Sequence, residues 1–496
     1  MLVIISDLHL TDGTSGSTIS PGAFQLLGER LVDLACGASQ RRDGSYRPIE
    51  RIDLVLLGDV LDVIRSSRWL DDRTRPWDGA AHGLFAKVGQ ITADILRTNA
   101  EACGEFRKLA QHGIAVAAAT RDGRPAERGQ QNVPVRIHYM VGNHDWFFHL
   151  PGETYNTLRR QVASHLGLAT SPDAPFPHEA WEDNELLQTM RRHKVFARHG
   201  DVYDPFNYEG DRNASSLGDA IVIELLNRFG AQVQRELGEE LPPSALSGLR
   251  EIDNIRPLLL VPVWIDGLLE RSCPQPSVRK EVKRVWDALA DEFLEQPFVR
   301  ARDTWRPVDI VDGLQKALKF SRRLSVGWAS WVAQWMWHLR GATSASYVQH
   351  ALGEQDFRNR RAKHIVYGHT HGAEVVPLDA SFAEGYVLHQ AYFNSGTWRR
   401  VYEQTRLAPA EHEFIAADTL TYLAFFKDDE RRGRPYETWS GSLGVAPQGS
   451  ASIRVDSRDL TDAGGKPIST PSVPVRAPHF AVPLAPFTTA ERAVVR

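Results

Sequence analysis

Five apolar runs, each closed by a small cluster of Asp, Asn or His, restrict this chain more than any other feature. Leu2 to Ile5 leads into Asp7-Leu8-His9, Leu54 to Leu57 into Gly58-Asp59, and Ile137 to Val141 into Gly142-Asn143-His144-Asp145. Val195 to Ala197 then leads into His199-Gly200-Asp201, and His364 to Tyr367 into Gly368-His369-Thr370-His371. Short runs of this kind read as buried strands. In an open α/β sheet, ligands bind beyond the carboxyl ends of the strands, which is where all five clusters fall. Two residues at i and i+2 on extended backbone also face the same side, so His369 and His371 can reach one centre. The fold class expected is therefore α/β, with one functional edge.

The chemistry follows from the donor set. Asp7, His9, Asp59, Asn143, His199, His369 and His371 offer imidazoles, carboxylates and an amide, with no thiolate among them. Mixed nitrogen and oxygen donors suit Mn, Fe, Zn, Ni or Co better than Mg or Ca alone. These seven are too many for one tetrahedral ion. They are right for two divalent metal ions sharing one carboxylate and one hydroxide, about 3.5–4 Å apart. Such a pair activates water and clamps a phosphoryl group for in-line attack, so the expected reaction is phosphoester hydrolysis, with manganese the first cofactor to try.

The chain in order supports one core interrupted once. A helix is predicted over Phe24–Ala35, a second strand over Ile52–Leu57, and a long helix or broken pair over Gly83–Gln111. The apolar run Ile114–Ala119 comes next, and Thr120–Asn132 reads as a polar loop. A strand over Pro134–Val141, a helix over Glu153–His165 and a strand over Lys194–Arg198 follow. About 170 residues then separate His199 from His369, far more than an ordinary αβ connection, which predicts an inserted helical subdomain. The expected layout is a core over 1–205, the insertion as a cap or lid candidate over 206–359, the rest of the core over 360–428, and a Pro/Ala/Ser-rich extended tail over 429–496. Strands are expected at 364–367, 387–394 and 412–426.

Charge and cysteine usage bound the setting. A formal charge of −4 gives no basic footprint, so strong non-specific nucleic-acid binding is not the default expectation. Cys36, Cys103 and Cys273 are few, odd in number and far apart, and the first strand lacks the features of a signal peptide. A cytoplasmic, soluble protein is expected. In the stretch 324–339, Leu324, Trp328, Trp331, Trp335 and Leu339 fall on one helical face. Burial inside the insertion is the plain reading of that stripe, and a lid or peripheral lipid contact the sharper one.

Taken together, the blocks Asp7-x-His9, Gly58-Asp59-x-x-Asp62, Gly142 to Asp145, His199-Gly200-Asp201 and Gly368 to His371 resemble, in type and order, the calcineurin-like metallophosphoesterase family. The resemblance covers about 1–205 and 360–428. It implies a four-layer α/β/β/α sandwich with one metal held by Asp7, His9 and His371, the other by Asn143, His199 and His369, and Asp59 between them. It further implies His144 as general acid or stabiliser of the leaving group, with Asp145 orienting its ring. Asn394-Ser395-Gly396-Thr397 looks like the turn that closes the strand after the last histidine pair. Asp62 and Asp201 are each either an outer partner of a ligand imidazole or the cap of a backbone turn. Arg65, Arg68, Arg73 and Arg75 read as a solvated loop or as a phosphate-facing edge. Within the family, a nuclease is one alternative. The other is a sugar-nucleotide or lipid-linked pyrophosphatase similar to the UDP-diacylglucosamine hydrolases.

Overall fold

The computed structural model describes residues 1–78, 83–256, 260–273, 275–302, 347–383, 386–407 and 413–445. Residues 1–445 form one unit, and 446–496 lie outside the described residues, as does the Trp stripe at 324–339. The chain is mixed α/β. Strands β1 (Leu2–Ile5), β2 (Ile52–Leu57) and β5 (Val135–Met140) lie side by side and parallel, with Ile5 opposite Leu56 and Leu57 opposite Met140. β1 and β2 are buried at every position, as parallel strands covered on both faces require. The sheet continues through β12 (Phe414–Phe425), which is antiparallel to β1, to β11 (Arg399–Gln404) and to β7 (Ile255–Arg256).

A second sheet of four strands has the order β6 (Val195–Arg198), β8 (His364–Tyr367), β10 (Tyr386–Asn394), β9 (Glu374–Ala383). β6, β8 and β10 are parallel, with Arg198 opposite Tyr367, so His199 and Gly368 leave the sheet together. Leu2, Ile4, Val55 and Leu57 of the first sheet share a core with Val195, Ala197, Val366 and Phe393 of the second. The alternate residues Val3, Ile5, Leu54 and Leu56 pack instead with helices α1 (Gly22–Ala38), α2 (Leu84–Thr98), α3 (Ala100–His112) and α4 (Glu153–Leu166). The period of two in each strand thus divides its side chains between two cores. α2 and α3 are broken at Asn99, whose side chain donates to the carbonyls of Thr11 (2.7 Å) and Ile95 (2.8 Å).

Three expectations are corrected. The predicted loop 120–132 contains β4 (Pro125–Val133), antiparallel to β3 (Ile114–Ala119). Seven of the nine residues of β4 are exposed, so it has backbone pairing without the apolar alternation that announces a strand. β9 and β11 were not predicted either. Part of the expected tail is β13 (Tyr436–Gly444), paired along Ala417–Phe425 of β12. The predicted insertion is mainly helical where described, including Arg228–Leu237 and Pro276–Glu295, with its own core around Phe229, Val233, Val282, Val285 and Phe293. It is also sewn into the first sheet. Ile255 and Arg256 pair with Tyr402 and Glu403, and Asn254 accepts from Arg399 Nε at 2.9 Å. Among the described residues no helix is long and apolar enough to cross a membrane.

Candidate metal centre

The five clusters meet because their strand ends are stitched by backbone bonds beyond the sheets. Asp7 N donates to Gly58 O (3.1 Å), His9 N to Asp59 O (2.9 Å) and Gly368 N to His199 O (2.8 Å). The turn after β10 backs them, with Thr397 Oγ1 donating to Asp7 O at 2.7 Å and Asn394 Nδ2 to Gly368 O at 2.9 Å. Left-handed backbone concentrates here. Of ten non-glycine residues with positive φ among the described residues, five are Asp7, His9, Asp59, His369 and His371. Each such residue costs about 1–3 kcal/mol, a strain that persists only where the surroundings over-determine it and that gathers at functional sites.

Two groups of donor atoms hold the predicted ligands, beside a third formed by His9, Asp59 and His144. In one, Asp7 Oδ1 lies 3.2 Å from His371 Nε2, and His9 Nε2 lies 3.0 Å from the same nitrogen. In the other, His199 Nε2 lies 3.2 Å from both Asp59 Oδ2 and Asn143 Oδ1, with His369 alongside. Asp59 Oδ2 is also 3.7 Å from His9 Nε2, so this carboxylate stands between the groups. All seven predicted ligands are therefore brought together, and their His and Asp members form clusters that could hold a metal ion.

The surrounding partners are only partly those predicted. Asp62 accepts from two rings at once, His9 Nδ1 and His144 Nδ1, each at 2.7 Å. Asp145 does not orient His144. Its carboxylate accepts instead from Gly142 N (2.6 Å), Val60 N (2.9 Å) and Tyr139 Oη (2.6 Å), which fixes the loop that carries Asn143. Asp201 also lacks an imidazole bond. It is paired with Arg212 at 2.7 Å, while His199 Nδ1 donates to Leu57 O at 3.0 Å. Three residues that sequence reasoning missed complete the shell. Asp204 Oδ2 accepts from His369 Nε2 at 2.9 Å, Asn207 Oδ1 accepts from Asn143 Nδ2 at 3.2 Å, and Arg256 Nη2 donates to His371 Nδ1 at 2.9 Å. Asn207 thereby turns the Asn143 oxygen toward His199.

The electrostatics suit a bound cation. Asp7 Oδ1 is buried without a hydrogen-bond partner, and burial pushes the Asp7 carboxyl up to about 6. Burial also pushes His9 down to about 4 and, with the Arg256 guanidinium, holds His371 well below the usual imidazole range. Burial would lower His199 and His144 too, but Asp59 outweighs it at His199, and Asp62 with Asp59 outweighs it at His144. Both rings are pushed up to about 10. Burial works to raise Asp59, and the His199 and His144 charges overcome it and hold Asp59 far below the carboxylate range. A cation held by these residues would satisfy the orphaned Asp7 oxygen and would take the place of a proton on His199, as metal binding to imidazole requires. One adjustment accompanies it. A guanidinium only donates, so His371 carries its proton on Nε2 while it accepts from Arg256, and ligation through Nε2 excludes that contact.

The cradle is also tight. A Cβ on Gly142 would stand 2.8 Å from Asp59 N and 2.8 Å from His199 Cδ2, and would strike Asp59 Oδ1. Gly142→Ala is expected to destabilise the fold by about 1–3 kcal/mol, the usual cost of overpacking, and to weaken cation binding. Denaturant unfolding and metal stoichiometry check this, and an alanine variant indistinguishable from the parent would show that the loop has slack.

The arginines after β2 are not a solvated edge throughout. Arg65 is buried, with Nε 2.7 Å from Asp253 of the insertion, and Arg68 and Arg75 pair with Asp94 and Glu224. No known protein-family profile and no curated protein matches this chain.

Proposed function

We propose that this protein is a binuclear metal-dependent phosphohydrolase acting on phosphate mono- or diesters. One observation carries the reading: seven donors from five strand ends converge in two groups with Asp59 Oδ2 between them, 3.2 Å from His199 Nε2 and 3.7 Å from His9 Nε2. Asp7, His9 and His371 would hold one divalent ion, and Asn143, His199 and His369 the other. When bound, such a pair lowers the pKa of water and supplies positive charge for a phosphoryl group, and Mn suits the donor set. The core shared by the two sheets, with helices packed on the far face of the first, supports a four-layer α/β/β/α sandwich.

The chain's own groups have separable tasks. His144 gives its Nδ1–H to Asp62, which leaves Nε2 to deliver a proton or to stabilise charge on a leaving oxygen. Its side chain is 16 % exposed against 1 % for His9, so the ring is open to a bound ester. Arg256, brought in by the insertion beside His371, is placed to meet a phosphoryl oxygen. The free thiols of Cys36, Cys103 and Cys273 support a cytoplasmic setting.

The test is hydrolysis of p-nitrophenyl phosphate and bis-p-nitrophenyl phosphate by the full chain. Activity on at least one ester is expected with Mn, loss with EDTA, and recovery when Mn is restored. Mn at about 100 times its Kd should also add about 2.7 kcal/mol of stability to the stripped protein. Protein that binds two cations yet cleaves neither ester would count against the reading.

A further inference from the structure

A second site lies where the loop after β2 meets the insertion. Leu70, Trp77 and Phe298 form part of the wall of a cavity of about 520 Å³, and four arginines line it: Arg73, Arg75, Arg228 and Arg235. None of the seven metal-site donors lines it. Its volume falls within the roughly 300–1,000 Å³ of small-molecule pockets. Arg228 and Arg235 are seven apart on the helix Arg228–Leu237, so they share one face about 10.5 Å apart along the axis.

The four guanidiniums differ in how they are neutralised. Arg75 Nε pairs with the buried Glu224 at 2.5 Å, and Arg228 reaches Glu292 at 2.5 Å and Glu224 at 3.5 Å. The Arg75–Glu224 pair joins the loop to the insertion, and the Arg228 pairs lie within the insertion. Among the described residues no carboxylate lies within ion-pair distance of Arg73 or Arg235, and Arg235 meets only the Gln232 amide oxygen at 3.1 Å. The remaining acid of the wall, Asp78, accepts from the backbone of Arg75 at 3.0 Å. Like charges converging on one cavity repel, and an anion reverses that term. Guanidinium forks match phosphate oxygens in particular. Leu70, Pro297, Trp77 and Phe298 supply the apolar part of the wall, with Trp77 stacked on Phe298 at 4.8 Å between ring centroids.

We propose that this cavity binds a phosphorylated small molecule that carries an apolar or planar group, of the size of a nucleoside diphosphate. Arg73 and Arg235 hold its phosphates, and the Leu70, Trp77 and Phe298 wall takes its base or tail. The site stands apart from the phosphoester reading and would exist if the metal cluster did no chemistry. It reaches that cluster through Asn227, at the start of the same helix, whose Nδ2 donates to Ile64 O at 2.9 Å, two residues beyond Asp62.

The experiment is isothermal titration of the full chain with α,β-methylene-ADP, which resists cleavage between its phosphates. The parent is expected to bind, Arg73→Ala with Arg235→Ala to weaken binding at least about tenfold, as loss of a charge-assisted bond implies, and Asp59→Asn to leave it within about threefold of the parent. Both arginines are exposed, so the double variant should fold, and its melting curve verifies that. Arg73→Ala alone serves if the pair does not fold. No binding by the parent at millimolar analogue would overturn the proposal, as would equal affinity in the arginine variants. Binding lost in Asp59→Asn but kept in the arginine variants would place the ligand in the metal cluster and overturn it as well.

Discussion

Asp59→Asn is expected to lower hydrolysis of bis-p-nitrophenyl phosphate by about 10³-fold or more, beyond the roughly 10–100-fold typical of losing an outer partner of a metal ligand. The reasoning is geometric. Asp59 Oδ2 is the oxygen that faces His199 Nε2 at 3.2 Å and His9 Nε2 at 3.7 Å, so one substitution removes a negative charge from both donor groups. The fold should survive it. Asp59 Oδ1 accepts from His144 N at 2.8 Å, and the asparagine oxygen can keep that bond while its NH₂ replaces Oδ2. A donor then points where a cation needs an acceptor. Rates measured at saturating Mn, with metal content determined on the same sample, separate lost occupancy from lost chemistry. A variant that retained two cations and more than a tenth of the parent's rate would show that Asp59 does not bridge.

The convergence of the donors was legible because each cluster abuts an apolar run, and parallel strands deliver their ends to one edge whatever the connections do. The outer partners were legible only where they belong to the same blocks. Asp62 sits three residues after Asp59, and it serves in both of the ways expected, as partner of two imidazoles and as acceptor of the Arg65 backbone N–H at 3.0 Å. The resemblance misled for Asp145, since its carboxylate turns back to Gly142 N, Val60 N and Tyr139 Oη, away from the neighbouring His144 ring. Asp204, Asn207 and Arg256 carried no local signal. Their roles depend on where the chain beyond β6 returns to the strand ends, and Arg256 arrives on the two-residue strand β7 inside a stretch read only as helical. β4 and β13 escaped for another reason. A ribbon or edge strand with solvent-facing side chains satisfies its backbone without a buried face, and burial is what hydrophobic periodicity reports.

Asp62→Asn tests the least expected feature of the cluster, one buried carboxylate serving two rings. His9 Nδ1 and His144 Nδ1 each lie 2.7 Å from a different oxygen of Asp62, so both rings can hold their proton on Nδ1 and keep Nε2 for other work. Asparagine offers one acceptor and one donor in place of two acceptors. Whichever ring faces the NH₂ must move its proton to Nε2. If that ring is His9, its Nε2–H points at Asp7, Asp59 and His371, and it ceases to be a ligand. If it is His144, the group that meets the leaving oxygen loses its orientation and the neighbouring charge that favours its protonated form. Hydrogen bonds to charged groups contribute about 1.5–3 kcal/mol each, and the Arg65 backbone N–H also donates to Oδ1 at 3.0 Å, the oxygen that faces His144, so the asparagine oxygen is favoured on that side and the NH₂ on the side of His9. The expected result is a fall in Mn affinity of about 10–100-fold, as for other partners that orient a metal ligand, with a further loss of rate on esters with poor leaving groups. His144→Ala isolates the second part, because it should keep both cations and lose rate mainly on those esters. Metal content and rates unchanged within about threefold in Asp62→Asn would mean that the two imidazoles choose their tautomers without it. Loss of metal in His144→Ala would move that ring among the ligands.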